Sequence, residues 1–123
     1  ESQVLFRGII PAQDISSAYY ACEIFVLPSR YDGWGMVVNE AICCGLPVIV
    51  SDAVGASIHL VTKDNGLIFK SENIIELANH MKAYDNHELI LSHGLNSKKV
   101  FESFTSTFFS EKLINVINMW TIR

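Results

Sequence analysis

An α/β fold, a parallel sheet with flanking helices, is predicted by three features of the sequence. Two short apolar runs, residues 24–27 and 48–50, read as buried strands. Between them lie a polar, glycine-containing turn and a helical stretch over 36–44. The same order of strand then helix precedes them, with Val4, Leu5, Phe6 and Arg7 ahead of a helix opening near Asp14. Strands separated by helices, twice over, imply parallel βαβ connections rather than hairpins. With 123 residues, half of them hydrophobic, residues 1–123 are expected to form a single domain around one core.

Taken in order, the strand at 4–7 closes at Gly8, and Ile9, Ile10 and Pro11 connect it onward. Asp14 stands at the cap position of a helix that carries Ile15, Ala18, Tyr19 and Cys22 at three-to-four-residue spacing. In the helix over 36–44, Met36, Val37, Val38, Ala41, Ile42, Cys43 and Cys44 are apolar, so burial on nearly every side is expected. Gly45 stops that helix and Pro47 prevents its continuation. Residues 51–57 are small and polar at a strand end, leading into a helical turn over 58–61. Residues 63–66 signal a turn and 67–69 a last strand. A helix from Ser71 or Glu72 then carries Ile74, Ile75, Leu77, Ala78 and Met81. Another runs from about Asn86 to Val100 and Phe101. A final helix over 107–120 sets Phe109, Leu113 and Trp120 on one face. The aromatic group Phe101, Phe104, Phe108 and Phe109 reads as inter-helix packing.

Composition narrows the function classes. A net charge of −4, with nine Lys and Arg residues scattered along the chain, provides no basic stripe for nucleic acid. No uncharged apolar run nears the ~18 residues of a membrane span, and no signal-peptide pattern opens the chain. A soluble, cytoplasmic protein is expected, with membrane association only through regions outside this sequence. Cys22, Cys43 and Cys44 show no C-x-x-C spacing and read as buried free thiols of a reducing compartment. His59, His80, His87 and His93 have no ligand partner in register, so no metal site is expected.

The unusual residues gather where the strand at 24–27 gives way to the helix over 36–44. In open parallel sheets ligands bind there, because the loops form a crevice and helix N-termini aim free N–H groups into it. Gly33 and Gly35 flank Trp34, which lets the backbone turn sharply and approach a ligand closely. Asp32 sits just ahead, and Glu40 lies eight residues later inside the helix. A carboxylate in so apolar a helix is either satisfied by backbone amides or a hydroxyl, or held at the crevice to accept hydrogen bonds from ligand hydroxyls. Residues 51–57 are expected to line the same crevice.

Leu27-Pro28-Ser29, the Asp32-x7-Glu40 spacing, Gly33-Trp34-Gly35 and Glu40-Ala41-x3-Gly45-x-Pro47-Val48-Ile49 together resemble glycosyltransferase family 4. More closely, they resemble the C-terminal, nucleotide-sugar-binding, Rossmann-like domain of those GT-B enzymes. The similarity extends back to Val4-x-Phe6-x-Gly8 and forward through Gly55 and Asn65-Gly66-Leu67 to the helical tail. The resemblance implies that Asp32 is the catalytic-centre carboxylate at the donor sugar and that Glu40 accepts the ribose hydroxyls. Backbone amides of Gly33, Trp34, Gly35 and Met36 would face the sugar and diphosphate, and Ile9 and Ile10 the base. Arg30, the cation within the motif, is counted with the donor-binding residues.

Such an enzyme transfers a hexosyl group with retention to a glycan or lipid-linked acceptor, as in polysaccharide biosynthesis. It would use a nucleoside diphosphate sugar as donor, without cofactor or metal; no D-x-D motif occurs in the chain. Three positions depart from the family pattern: Asp32 where Glu is usual, Ala56 in place of a second glycine, and His59 where Glu is common. The Arg and Lys that neutralise the diphosphate in the family have no counterpart, since only Arg7 and Arg30 precede Lys63. The chain is therefore expected to be about the last two-thirds of a donor domain, inactive alone and partnered by an N-terminal acceptor-binding domain. A nucleotide-sugar epimerase of GT-B type and a non-catalytic α/β module are the alternatives.

Overall fold

The computed structural model describes residues 4–104 together with Ser110 and Ile114. Three parallel strands, β1 (Phe25–Leu27), β2 (Val48–Ser51) and β3 (Gly66–Phe69), form a sheet in that order. Val26 pairs with Ile49 and Ile49 with Leu67 across it. The helices are α1 (Ile15–Tyr20), α2 (Met36–Cys43), α3 (Ala56–Leu60), α4 (Ile74–Ala83) and α5 (His87–Ser103), with a 3-10 turn over Ala12–Asp14. This is the Rossmann-like α/β arrangement expected from the sequence.

Strand alternation divides the core in two. Val48 and Val50 pack with Val38, Ala41, Ile42, Val54 and Leu60 on the α2 and α3 side, where Phe101 and Phe104 also lie. Ile49 points the other way, to Phe69, Tyr84 and Leu77 beside α4. Both faces of β2 are thus covered, which is why 48–50 reads as a continuous apolar run rather than an alternating one. Side-chain caps fix the starts of α4 and α5. Asn86, where the sequence is expected to start a helix, accepts from the backbone N–H of Glu88 and Leu89 at the head of α5. The start of α4 is shifted: Asn73, not Ser71 or Glu72, is its cap, accepting from the Glu76 N–H. Gly45, with φ 77°, ends α2 as expected.

Four expectations are corrected. Residues 4–7 do not join the sheet, and Leu5 and Phe6 are exposed; a short apolar run becomes a strand only where a neighbour completes its ladder. Asp14 makes no side-chain cap to α1, because the chain enters through a 3-10 turn that leaves Asp14 in a helix-like conformation (φ −103°, ψ −8°) rather than the extended one a capping residue adopts. Helix α2 is not buried all round: Val38, Ala41 and Ile42 are, but Met36, Glu40 and Cys43 are exposed along one stripe. The three cysteines are free, yet Cys22 and Cys43 are exposed and Cys44 half-buried; Cys43 stands on the outward stripe of α2, and Cys22 lies past the end of α1 in the connection to β1. The helix expected over 107–120 falls mostly outside the described residues, as do Phe108, Phe109 and Trp120.

Candidate functional site

The site is built on the loop between β1 and α2. After Leu27 leaves the sheet the chain bends at Arg30, and Asp32 forms an isolated parallel bridge with Val54 beyond the C-terminal end of β2. Asp32 N–H donates to Ala53 O at 3.1 Å, Gly55 N–H to Asp32 O at 3.1 Å, and Ala56 N–H to Trp34 O at 2.7 Å. One residue further in, the Ser51 hydroxyl donates to Ser29 O at 2.7 Å and accepts from Ala53 N–H. The expected crevice-lining segment 51–57 therefore serves as a main-chain clamp on the motif loop. Asp52 turns away to the end of β3, bonding Lys70 Nζ and Ser71 N–H at 2.8 Å. Those partners hold its carboxyl below the usual carboxylate range.

Two glycines make this close approach feasible. Gly35 caps α2 with φ 85° and is buried against Val54, Leu27 and Val38. At Gly55 a Cβ would collide with Gly33 O and press on the Trp34 backbone. Gly33 is different: nothing lies within 4 Å of the position its Cβ would take, and its φ is not positive. Gly35 is a requirement of the fold, whereas Gly33 faces open space.

The side chains are ordered by local bonds. Asp32 Oδ1 accepts from the Trp34 N–H at 3.1 Å, so of the four amides assigned to the donor, that of Trp34 is already engaged. The Trp34 indole N–H donates to Asn39 Oδ1 at 2.9 Å, and the ring stacks on His59, with centroids 5.8 Å apart and planes at 24°. Asn39 and His59 thus join the site; the sequence marks His59 only as a departure from the family pattern and Asn39 not at all. Gly35 brings no side chain to cap α2; Val38 N–H bonds Gly35 O, and the N–H groups of Met36 and Val37, at the positive end of the helix dipole, are the ones offered to an anion.

Glu40 lies one turn along. It is exposed rather than buried, and its Oε2 accepts from the Tyr19 hydroxyl at 2.8 Å. Glu40 and Tyr19 line a cleft of about 410 Å³ with Gly8, Ile10, Phe25 and Val37. Ile10 and Glu40, thirty residues apart, are thereby brought together. Arg30 is not: its Nε pairs with Glu72 at 2.9 Å in an exposed bridge, with Glu72 in a left-handed conformation. Among the described residues no group of three or more His, Cys, Asp and Glu side chains is disposed to hold a metal ion. Nor, among them, is any helix long and apolar enough to cross a membrane.

The chain is similar to known proteins. The chain is 30% identical over 105 residues to the O-antigen chain mannosyltransferase B of Escherichia coli, covering 82% of this chain and 27% of that protein. The structure superposes on sucrose-phosphate synthase from Thermosynechococcus elongatus with a TM-score of 0.80 at 24% identity, over 98% of this chain and 31% of that one. It also matches Anabaena Alr3699/HepE, solved in complex with UDP, with a TM-score of 0.72 at 22% identity, over 86% and 30% of the two chains. The chain therefore spans about three-tenths of the length of each of these proteins. Residues 1–99 match the family model of the glycosyl transferases group 1. With that match, and with its fold shared by GT-B glycosyltransferases, the chain belongs to the glycosyl transferases group 1 family.

Proposed function

We propose that this chain is the donor-binding part of a retaining glycosyltransferase that passes a hexosyl group from a nucleoside diphosphate sugar to a glycan or lipid-linked acceptor in the cytoplasm. The observation that carries the reading is that Val37 and Glu40 of α2, a helix with no side-chain cap at its N-terminus, line one cleft with Ile10. The cleft between Ile10 and Glu40 suits a base and ribose, and the uncapped N-terminus of α2 next to it suits a diphosphate. Asp32 and the open face of Gly33 lie beyond, where the sugar would sit.

In this reading Glu40 accepts the ribose hydroxyls, since an ionised carboxylate is an acceptor with room for two donors. The free amides of the α2 first turn stabilise the charge that builds on the departing diphosphate. With Arg30 engaged by Glu72, the cation for that diphosphate comes from elsewhere in the parent protein. Asp32, already turned back onto Trp34 N–H through Oδ1, offers its second oxygen to a donor sugar hydroxyl. No metal is required for the transfer, and added chelator is expected to leave it unchanged. The acceptor is held by a further domain, so the 123 residues alone bind donor without transferring it; sugar transfer by this chain in isolation would sink that part of the proposal.

Titration calorimetry with UDP-, GDP- and ADP-sugars tests the site. One nucleotide class should bind, and Glu40→Ala should weaken it by about tenfold or more, the worth of hydrogen bonds to a charged group. Absence of binding to all three classes, or equal binding by Glu40→Ala, would instead favour a non-catalytic module.

A further inference from the structure

We infer that Tyr19 is a positioning residue for Glu40: its hydroxyl fixes one carboxylate oxygen so that the other is presented to the ribose. The inference rests on the donor-nucleotide reading above. Tyr19 and Glu40 are 21 residues apart on different helices and meet only through the fold, at an O–H···O distance of 2.8 Å. The direction of the bond follows from chemistry, because an ionised carboxylate can only accept. Burial first, and then the bond to Glu40, push the Tyr19 hydroxyl above its ordinary pKa, so the donor stays protonated across the working pH range.

What the bond accomplishes follows from the contrast between the two side chains. Tyr19 is half-buried, its ring set against Phe25 with centroids 5.8 Å apart, and it packs on the core beneath α2. Glu40 is exposed, and a glutamate in water is spread over many rotamers whose loss a ligand must otherwise offset. A rigid aromatic donor removes that freedom before the nucleotide arrives. Among the described contacts Oε2 is the oxygen taken by the protein, and Glu40 lines the cleft shared with Ile10, so Oε1 is the oxygen left for a ligand there. A vicinal diol needs an acceptor at a defined place, and the ribose is the part of the ligand that would register it.

The test compares UDP, GDP and ADP with their 2′-deoxy counterparts, by calorimetry on the 123-residue chain. The wild-type chain should prefer the ribonucleotide of its base class. Tyr19→Phe, which keeps the ring against Phe25, should shrink that preference about 5- to 10-fold with an unchanged melting temperature and little change for the deoxynucleotide. Glu40→Gln should abolish the preference, and adding Tyr19→Phe to it should cost nothing more. Glu40→Asp, which draws the carboxylate back from the hydroxyl without touching Tyr19, should reduce the preference as Tyr19→Phe does. An unchanged ribo/deoxy ratio in Tyr19→Phe, beside a collapsed one in Glu40→Gln, overturns the positioning role and leaves the donor reading standing. Tighter ribonucleotide binding by Tyr19→Phe overturns it too, since Tyr19 would then be competing with the ligand. A wild-type chain with no ribose preference removes both.

Discussion

Two glycines that look equivalent on either side of Trp34 should respond in opposite ways to the same methyl group. At Gly35 the backbone has φ 85°, and a Cβ would stand 2.5 Å from Val54 Cγ1 and 3.4 Å from Leu27 Cδ2. Holding an L-residue in the left-handed region costs about 1–2 kcal/mol. Forcing a methyl into a packed core costs about 1–3 kcal/mol more, and Val54, 1% exposed, has nowhere to retreat. Gly35→Ala should therefore destabilise the chain by about 2–5 kcal/mol. Gly33→Ala meets nothing within 4 Å and needs no unusual φ, so its effect on stability should stay within about 0.5 kcal/mol. If the donor approaches the loop over Gly33, the same variant should lose nucleotide-sugar affinity while keeping its fold. Urea unfolding followed by circular dichroism, with calorimetric titration of the folded variants, measures both quantities. Equal destabilisation by the two substitutions, or a neutral Gly35→Ala, would refute the division of roles.

Other consequences are open to measurement. Asn65 is fully buried and ties its own turn together, accepting from Thr62 N–H and hydroxyl and donating to Leu60 O. Asn65→Leu orphans Thr62 N–H and Leu60 O, and should cost about 2–5 kcal/mol in denaturant unfolding. His93 is buried with Nδ1 at 2.8 Å from the Tyr84 hydroxyl, and burial holds its pKa below the ordinary 6.5. Because the folded state binds that proton less readily than the unfolded chain, stability is full above pH 6.5 and falls as the pH drops from there to the folded pKa. His93→Gln should flatten that acid limb. Burial raises the Tyr84 pKa to about 12, so a second decline should run from pH 10 to 12 and be reduced in Tyr84→Phe, the remainder coming from Tyr19, whose hydroxyl is also raised. Arg30→Ala breaks only an exposed bridge to Glu72, with side chains 84% and 65% accessible, and should change stability by about 0.5 kcal/mol or less. Any loss of donor affinity in that variant then reports on charge near the diphosphate.

Where sequence sufficed and where it failed divides along the distance over which information acts. β2 and β3, the span of α2 with its stop at Gly45, and the cap of α5 at Asn86 are settled within a few residues, by apolar runs and cap chemistry. The motif around Asp32 and Glu40 is local in the same sense. By contrast, the failure of 4–7 to form a strand depends on whether a neighbour pairs with it. The outward stripe of Met36, Glu40 and Cys43 depends on how α2 is rotated over the sheet, which its nearly uniform hydropathy leaves undetermined. Tyr19 reads in sequence as one apolar position of an amphipathic helix. Its hydroxyl acquires a role only when α1 and α2 are brought side by side. A phenol placed on an otherwise apolar stripe was the available signal, since a half-buried hydroxyl seeks a partner. Trp34 and His59 meet only because the loop ends after β1 and β2 are bonded together, a juxtaposition no single-chain spacing encodes.

That bonding between residues 32–34 and 53–56 runs through carbonyls and amides: Asp32 N–H to Ala53 O, Gly55 N–H to Asp32 O, Ala56 N–H to Trp34 O. Every residue other than proline brings those atoms, so the scaffold of the site is indifferent to most side chains placed on it. Asp32, Trp34 and Ala53 can be exchanged with the loop's path preserved, while Gly35 and Gly55 cannot. Mutational drift in such a loop is channelled: it can change the side chains the loop presents long before it endangers the architecture that presents them. Asp32, where the family resemblance leads one to expect Glu, is then a variation the frame absorbs, and its consequence is confined to what the carboxylate touches.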